Sequence, residues 1–447
     1  MPAGGEVVDL PDELKRELAA DLNSREKELE GWAKAFLAIP EMGFKEEKTS
    51  AAVVDLIRTH CPQAAVKTGI GITGVMATAA LDNPAGIHVA LICELDALQL
   101  PQHIDADSNT GAAHACGHHM QMTAAIGAFA ALCRVRHPMW GRLSLMAIPA
   151  EEAVELEYRS HLVDKGRIRY RSGKQEWVRL GMFDDIDAAL MLHAHSESET
   201  GNIYVMGGSL GFLAKRIEFI GRESHAGHSP EAGINALNAA MAAIMCIHAN
   251  RETFRDEDAV RVHPILTKGG DMVNIVPAQV VMETLVRGAR QEAIRDAAVK
   301  VDRSIQGACI AVGANARIEN MPGYLPLFQD EFLSRLFEDN ASGLPETATI
   351  YRGIGMTGSS DIGDISHLLP TIHPTIGGFA GNPHSVEFQI KDPKTYLYAA
   401  KLLAQTAADL LGGEGRRGRE LKTGFHPRLT KKQYIDLLES MTGVTRF

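Results

Sequence analysis

Long apolar runs are missing from this chain of 447 residues. Its best stretches, Val89 to Cys93 and Ala188 to Leu192, fall far short of the roughly 18 residues a membrane span requires, so no bilayer crossing is expected. An apolar signal core is missing too: MPAGGEVVDLPDELKRELAADL carries acidic residues early, and the expected compartment is the cytoplasm. Cysteine is sparse, with Cys61, Cys93, Cys116, Cys133, Cys246 and Cys309 scattered at no short repeated spacing. That pattern reads as reduced thiols and not as a disulfide framework. Cys246 and Cys309, in apolar surroundings, read as packing residues. Positive charge is in deficit, 45 Lys and Arg against 56 Asp and Glu, for a formal net charge of −11. Such a field repels phosphate backbones and no basic stripe overrides it, so nucleic acid is not an expected partner.

What is present is ordinary for a globular protein, 45% hydrophobic and 23% charged residues, which excludes wholesale disorder and fibrous repeats. The length predicts two or three domains. A first long helix is announced by Asp9 as a cap, Pro11 near the first turn and apolar residues at helical spacing through Trp32, Phe36 and Leu37. It is expected to stop near Ile39, before Pro40. Then come Ile87 to Cys93, Leu143 to Ile148 and Ile186 to Leu192, mostly apolar runs separated by crossover-sized segments. They predict buried parallel strands in an α/β layer, with His119 to Val135 as a crossover helix.

At about Gly211 the pattern changes. Phe212 to Gly221 reads as a strand, Gly233 to Ala249 as a helix, Val260 to Thr267 and Val276 to Arg287 as strands, Gln291 to Ala308 as a helix and Ile310 to Ile318 as a strand. That order is the split unit of a small ferredoxin-like α+β sandwich, inserted into the first domain. The predicted domains are therefore 211–322 for the insert, and 1–210 with 323–447 for a discontinuous α/β domain. The latter resumes after Pro326 with Asp330 to Asn340, Thr371 to Gly377 and a helix from Asp392 to Leu411. The Gly-rich basic tail from Gly412 reads as a surface arm.

An open parallel sheet binds ligands beyond the carboxyl ends of its strands. Reactive residues follow these strands: Glu94 and Asp96 the first, Glu151 and Glu152 the second, His193 the third and His384 the last. The sharpest signal is His114-Ala-Cys-Gly-His-His119. Cys116 and His118 can face the same way in an extended turn, Gly117 lets the backbone bend between them, and the helix N-terminus that follows favours a thiolate. In Pro149-Ala-Glu-Glu152, one carboxylate can coordinate a metal while the other holds the attacking water as general base. Taken singly, each motif has a plain alternative: core or surface histidines for the first, a dipole-favoured helix start for the second.

Glu94-Leu-Asp-Ala-Leu98, HACGHH, PAEE, His193 eight residues before Gly201, SHAGHSPEAGINAL, GGDMVNIVP, GSSDIGD and His384-Ser385 occur in one order. Together they resemble the family of metal-dependent amidohydrolases, aminoacylases and carboxypeptidases, and within it the branch of indole-acetyl-amino-acid hydrolases and aminobenzoyl-glutamate hydrolases. The similarity runs from about Pro40 to Ala408. The resemblance implies a zinc-peptidase-like catalytic domain with a mostly parallel central sheet, and an inserted dimerisation or lid domain. It implies one or two divalent ions per subunit, manganese, zinc or cobalt, on Cys116, His118, Glu152, His193 and His384. Glu151 would be the general base and Asp96 would orient a histidine or that base. It further implies a homo-oligomer, at least a dimer through the inserted domain, whose His225 reaches a partner's active site to stabilise an oxyanion. Asn274 and Arg287 would meet the substrate.

The chain also departs from that branch. Members often carry Asp or Asn where His119 stands, so a second imidazole there can alter metal occupancy, add a ligand or do nothing, and His119 also stands among the candidate substrate contacts. Ser360, in a Gly-flanked loop with Asp361, can shape the pocket or cap the following helix. Val154 to Leu180 is longer than the branch pattern, basic, and carries Tyr158, Tyr170 and Trp177. A charged surface helix pair is expected there, against a pocket wall or an oligomer contact. The expected activity is hydrolysis of a carbon–nitrogen bond in a small molecule, the amide of an N-acyl or N-aroyl amino acid. Two alternatives stay open: hydrolytic release of ammonia from an activated aromatic amine, and a metal-binding assembly protein without turnover. The intact Glu151 argues against the last, because closed structural sites have no use for a base.

Overall fold

Ile87 to Cys93 and Leu143 to Ile148 are each apolar with one break, at His88 and Ser144. In the computed structural model, which describes residues 10–205, 207–353 and 355–447, these runs lie side by side and parallel in a six-stranded sheet. The two breaks satisfy each other, His88 Nε2 and Ser144 Oγ lying 2.8 Å apart, which is what lets both be buried. Strand order is Ala65–Ile70, Gly74–Ala80, Trp140–Ile148, Asn83–Glu94, Ala188–Leu190, Thr371–Ile372. The first two pairings are antiparallel and the remaining three parallel, so the sheet is mixed but mostly parallel. Parallel strands need helices over their faces. The helices His118–Arg134 and Lys394–Leu411, buried along nearly their whole length, supply that cover and pack on each other. All of this belongs to one of two compact units, made of the chain up to Gly207 with Phe328–Gly355 and Ile365–Arg428.

The other unit comprises Gly208–Leu327, Met356–Asp364 and Leu429–Phe447. Its sheet is antiparallel throughout, in the order Arg261–Val262, Gln279–Gly288, Gly211–Ile220, Asn315–Pro322, Gly443–Arg446, with Ile265–Lys268 also pairing Gln279–Gly288. The helices Ala236–Ala249 and Gln291–Val312 pack on the central strands and on each other. Strand, helix, strands, helix, strand is the split order read from the sequence.

Several expectations are corrected. The first helix is two, Leu10–Ser24 and Glu26–Leu37, because Arg25 leaves the helical region at φ −115°, ψ 13°; Asp9, its expected cap, lies outside the described residues. The second helix of the α+β unit runs on to Val312 and stops at Gly313, whose φ of 78° suits glycine, so the last strand begins at Asn315 and not at Ile310. The tail is no surface arm and does not all belong with the α/β unit. Thr430 and Gln433 form a capping box that starts the helix Lys431–Met441. That helix buries Tyr434, Leu438 and Met441 at helical spacing and leads into the edge strand Gly443–Arg446.

The cysteines also differ from expectation. Cys61 and Cys133, at the ends of the helices Glu47–His60 and His118–Arg134, are joined in a disulfide across a sequence separation of 72. Cys246 is exposed, on the outer face of its helix, whereas Cys309 is buried. Finally, Val154 to Leu180 does contain a helix pair, Leu156–Asp164 and Gly173–Arg179, but it is not a surface feature: Arg159, Lys174 and Trp177 are all buried. Among the described residues no helix is long and apolar enough to cross a membrane.

Candidate metal centre

The carboxyl ends of Asn83–Glu94 and Trp140–Ile148 are neighbours, with Glu94 paired to Ile148 in register. The chain after each strand therefore delivers its acids to one place. Glu152 N donates to Asp96 Oδ2 at 2.9 Å, tying the two turns together. His118 enters from the start of the crossover helix, where Gly117 adopts φ 90° and a Cβ would meet Ala194 Cβ at 2.6 Å. No other residue fits there without strain. His118 Nδ1 donates to the Asp96 carbonyl at 2.7 Å, which sets its tautomer and leaves Nε2 able to serve as a ligand atom. His193 is set the same way, its Nδ1 3.0 Å from the Ala194 carbonyl.

The free ring nitrogens and the sulfur then converge. Cys116 Sγ lies 3.6 Å from His193 Nε2 and 3.3 Å from His384 Nε2, and His384 Nε2 lies 3.3 Å from Glu152 Oε1. His118 Nε2 is 3.1 Å from Glu94 Oε2 and 4.0 Å from Glu152 Oε1. Three overlapping sets, Cys116 with His118 and His193, Cys116 with Glu152 and His384, and Glu94 with His118 and Glu151, each bring their ligand atoms within 4.8 Å of one another. His384, 51% exposed, is the outermost member, and its backbone sits at φ 63°, held by a 2.8 Å hydrogen bond from its N–H to the Ala115 carbonyl. Ala150, just before Glu151, has φ 57°. Non-glycine residues in that region cost energy and are retained where the surroundings over-determine them.

The donor set fits a divalent cation. Among the described residues His118 Nε2 and Glu152 Oε1 are buried with no aligned hydrogen-bond partner, and a soft thiolate, imidazoles and carboxylates are the ligand types that zinc and its neighbours take. The field agrees. Burial works against a charged imidazole, yet Glu94 and then the hydrogen bond His118 donates to Asp96 hold His118 well above its ordinary range. Burial also works against Glu94 ionising, but Lys174 and then His118 hold its carboxyl low. Burial, with Glu152 next, pushes the Cys116 thiol far up, and a cation beside it would favour the thiolate.

The turn that carries Glu151 and Glu152 has its own supports. The guanidinium of Arg159 donates to the carbonyls of Ala150, Glu152 and Arg171. Glu46, fully buried, accepts from Ala150 N at 2.9 Å and from Thr73 Oγ1 at 2.5 Å. Burial first, then the charge of Asp96, pushes the Glu46 carboxyl up from 4.5 to about 8. Between those values the folded chain holds a proton that the unfolded chain has lost, so stability falls as pH rises across that window. Glu46→Gln, a neutral isostere, is expected to gain stability relative to wild type as pH rises from about 5 to about 8. Denaturant midpoints of both proteins across that range check it, and a constant difference would refute it.

His119 does not join the centre. It lies one residue on from His118 around the helix, 2% exposed, with its ring 5.9 Å from those of His114 and Tyr396 and 6.1 Å from that of Phe379. A substrate contact is thereby corrected to a core position. His225, Asn274, Arg287 and Ser360 belong to the α+β unit. His225 Nδ1 accepts from the N–H groups of Gly227 and His228 at 3.2 and 3.0 Å, so its exposed Nε2 carries the proton as a donor. Asn274 is exposed, and its carbonyl accepts from Ala226 N at 2.9 Å. Arg287 stands over the Phe212 ring and donates to Ser359 Oγ at 2.7 Å, while Ser360 is buried. Sequence reasoning did not place Lys174, Gln121, Arg159 or Glu46 here. Nothing local marks them, whereas Glu94, two residues before Asp96 at a strand end, carried a legible signal.

Residues 90–409 match the family model described as Peptidase family M20/M25/M40. The Xaa-Arg dipeptidase of Mus musculus is 26% identical over 445 residues, 91% of this chain and 94% of its own. The indole-3-acetyl-aspartic acid hydrolase of Enterobacter agglomerans is 28% identical over 264 residues, 56% of each chain. Among solved structures, a dinuclear metal binding peptidase of Bacillus subtilis matches with a TM-score of 0.68 at 20% identity, over 87% of this chain and 99% of that one, a likeness of fold.

Proposed function

The chain belongs to peptidase family M20/M25/M40, and from that premise we propose that it is a metal-dependent hydrolase cleaving the amide of an N-acyl or N-aroyl amino acid. The observation that carries this is the convergence of Cys116, His118, Glu152, His193 and His384, with a second carboxylate, Glu151, beside them. Those five residues would hold one or two divalent ions, manganese, zinc or cobalt. Such ions supply Lewis acidity and bring the pKa of a water toward ~7.

The chain's own residues do the rest. Glu151, 7% exposed, takes the proton of the attacking water and returns it to the leaving nitrogen, so that an amine departs and not an amide anion. Asp96 and Arg159 keep the acid-bearing turn and His118 in place. In a homo-oligomer formed through the α+β unit, His225 of a second copy offers its Nε2–H to the developing oxyanion. Arg287 and Asn274 receive the carboxylate and the flanking polar groups of the substrate. The compartment proposed is the cytoplasm.

A panel of N-acyl amino acids, dipeptides and aromatic amines, incubated with metal-loaded protein, tests the reading. Release of free amino acid from the amides is the expected result. Ammonia from an aromatic amine with no amide consumed would overturn it, and metal binding with no turnover of any of them would mark an assembly protein.

A further inference from the structure

Glu94 sits closer to His118 Nε2 than Glu152 does, at 3.1 against 4.0 Å, yet the contact is not aligned as a hydrogen bond. A hard oxygen donor so placed ought to compete for any ion that His118 holds. Its two oxygens are engaged elsewhere. Lys174 Nζ lies 2.5 Å from Oε1, and Gln121 Nε2 donates to Oε2 at 2.8 Å. Lys174 is 0% and Glu94 1% exposed at the side chain, so this ion pair is sealed from water, where it is weakened neither by solvent nor by salt. Lys174 comes from the second helix of the segment Val154 to Leu180, and that helix is buried from Gly173 to Val178. This helix thus reaches inward to neutralise one acid at the edge of the metal centre.

We propose that Lys174 is a positioning residue which, with Gln121, keeps the Glu94 carboxylate committed to protein donors, and thereby biases the centre toward zinc-like ions over harder, oxygen-seeking ones such as manganese. The inference rests on the metal centre proposed above. With the Glu94 charge neutralised by Lys174 at Oε1, the thiolate and imidazoles dominate the ligand set; without Lys174, the full charge of a carboxylate whose Oε2 lies 3.1 Å from His118 Nε2 is left to an ion held there. A merely structural ion pair would affect stability and leave ion preference where it was.

The test measures dissociation constants for Mn²⁺ and Zn²⁺ by competition with a chelating dye, on the full chain. K174M is expected to bind Mn²⁺ about tenfold more tightly, the scale on which groups behind the ligands act, with a smaller change for Zn²⁺. K174M/E94Q, which removes both charges, is expected to return the Mn²⁺ to Zn²⁺ ratio to the wild-type value. Because an unpaired buried carboxylate can prevent folding, K174Q, which retains a donor without the charge, provides the same comparison. A folded Lys174 variant with the wild-type ratio overturns the inference alone. A wild-type chain that binds neither ion overturns the metal centre and the inference with it.

Discussion

Glu151→Gln is expected to bind divalent metal as wild type does and to lose nearly all turnover, a fall in kcat of about 100-fold to 10,000-fold. The amide has the carboxylate's shape but no basic lone pair to receive a proton from water. The sets that unite the sulfur with the imidazoles, Cys116 with His118 and His193, and Cys116 with Glu152 and His384, do not include Glu151, so its neutralisation spares them. Metal content by elemental analysis, beside kcat on the best amide substrate, makes the measurement. Retained turnover would remove Glu151 from the mechanism, whereas joint loss of metal and activity would make it a ligand.

Removal of the ion is expected to have the second largest effect. After treatment with a chelator the protein should show no amide hydrolysis above background, and added Zn²⁺, Mn²⁺ or Co²⁺ should restore it. Stability should fall too. Glu94, Asp96, Glu151 and Glu152 lie buried close to one another, and a divalent ion held beside them would offset their mutual repulsion. At an ion concentration 100 times its dissociation constant, binding contributes about 2.7 kcal/mol, visible as a shift in the denaturant midpoint on chelation. Full activity in protein shown to be metal-free would sink the proposed chemistry.

The legible parts of this molecule were those written in short stretches. The apolar runs before Glu94 and Ile148 announce buried parallel strands, and the acids that follow them land where strand ends meet. Gly117 between Cys116 and His118 was readable as a bend, and it adopts φ 90°. Other features were illegible for equally physical reasons. Cys61 and Cys133 are 72 residues apart, and only the packing of two helices brings their Cα atoms to 6.2 Å. His119 follows His118 directly, but successive helical residues point about 100° apart, so neighbours in sequence end on different faces. The helix Gly173–Arg179, with Lys174, Glu176 and Arg179 in seven residues, has the composition of a surface and is buried.

The buried parallel strands, the order of elements after Gly211 and the kinds of residue gathered at the strand ends were thus determined by the sequence itself, because hydrophobic period and motif are local properties of a chain. Tertiary structure alone decided which ring nitrogen faces the centre, which acid is tied up by Lys174, and which histidine is turned into the core. The last two depend on contacts between segments more than 70 residues apart, Lys174 with Glu94 at a separation of 80 and His119 with Tyr396 and Phe379. No local pattern encodes a distance in space between residues so remote, and burial, once imposed, is what makes their charges matter.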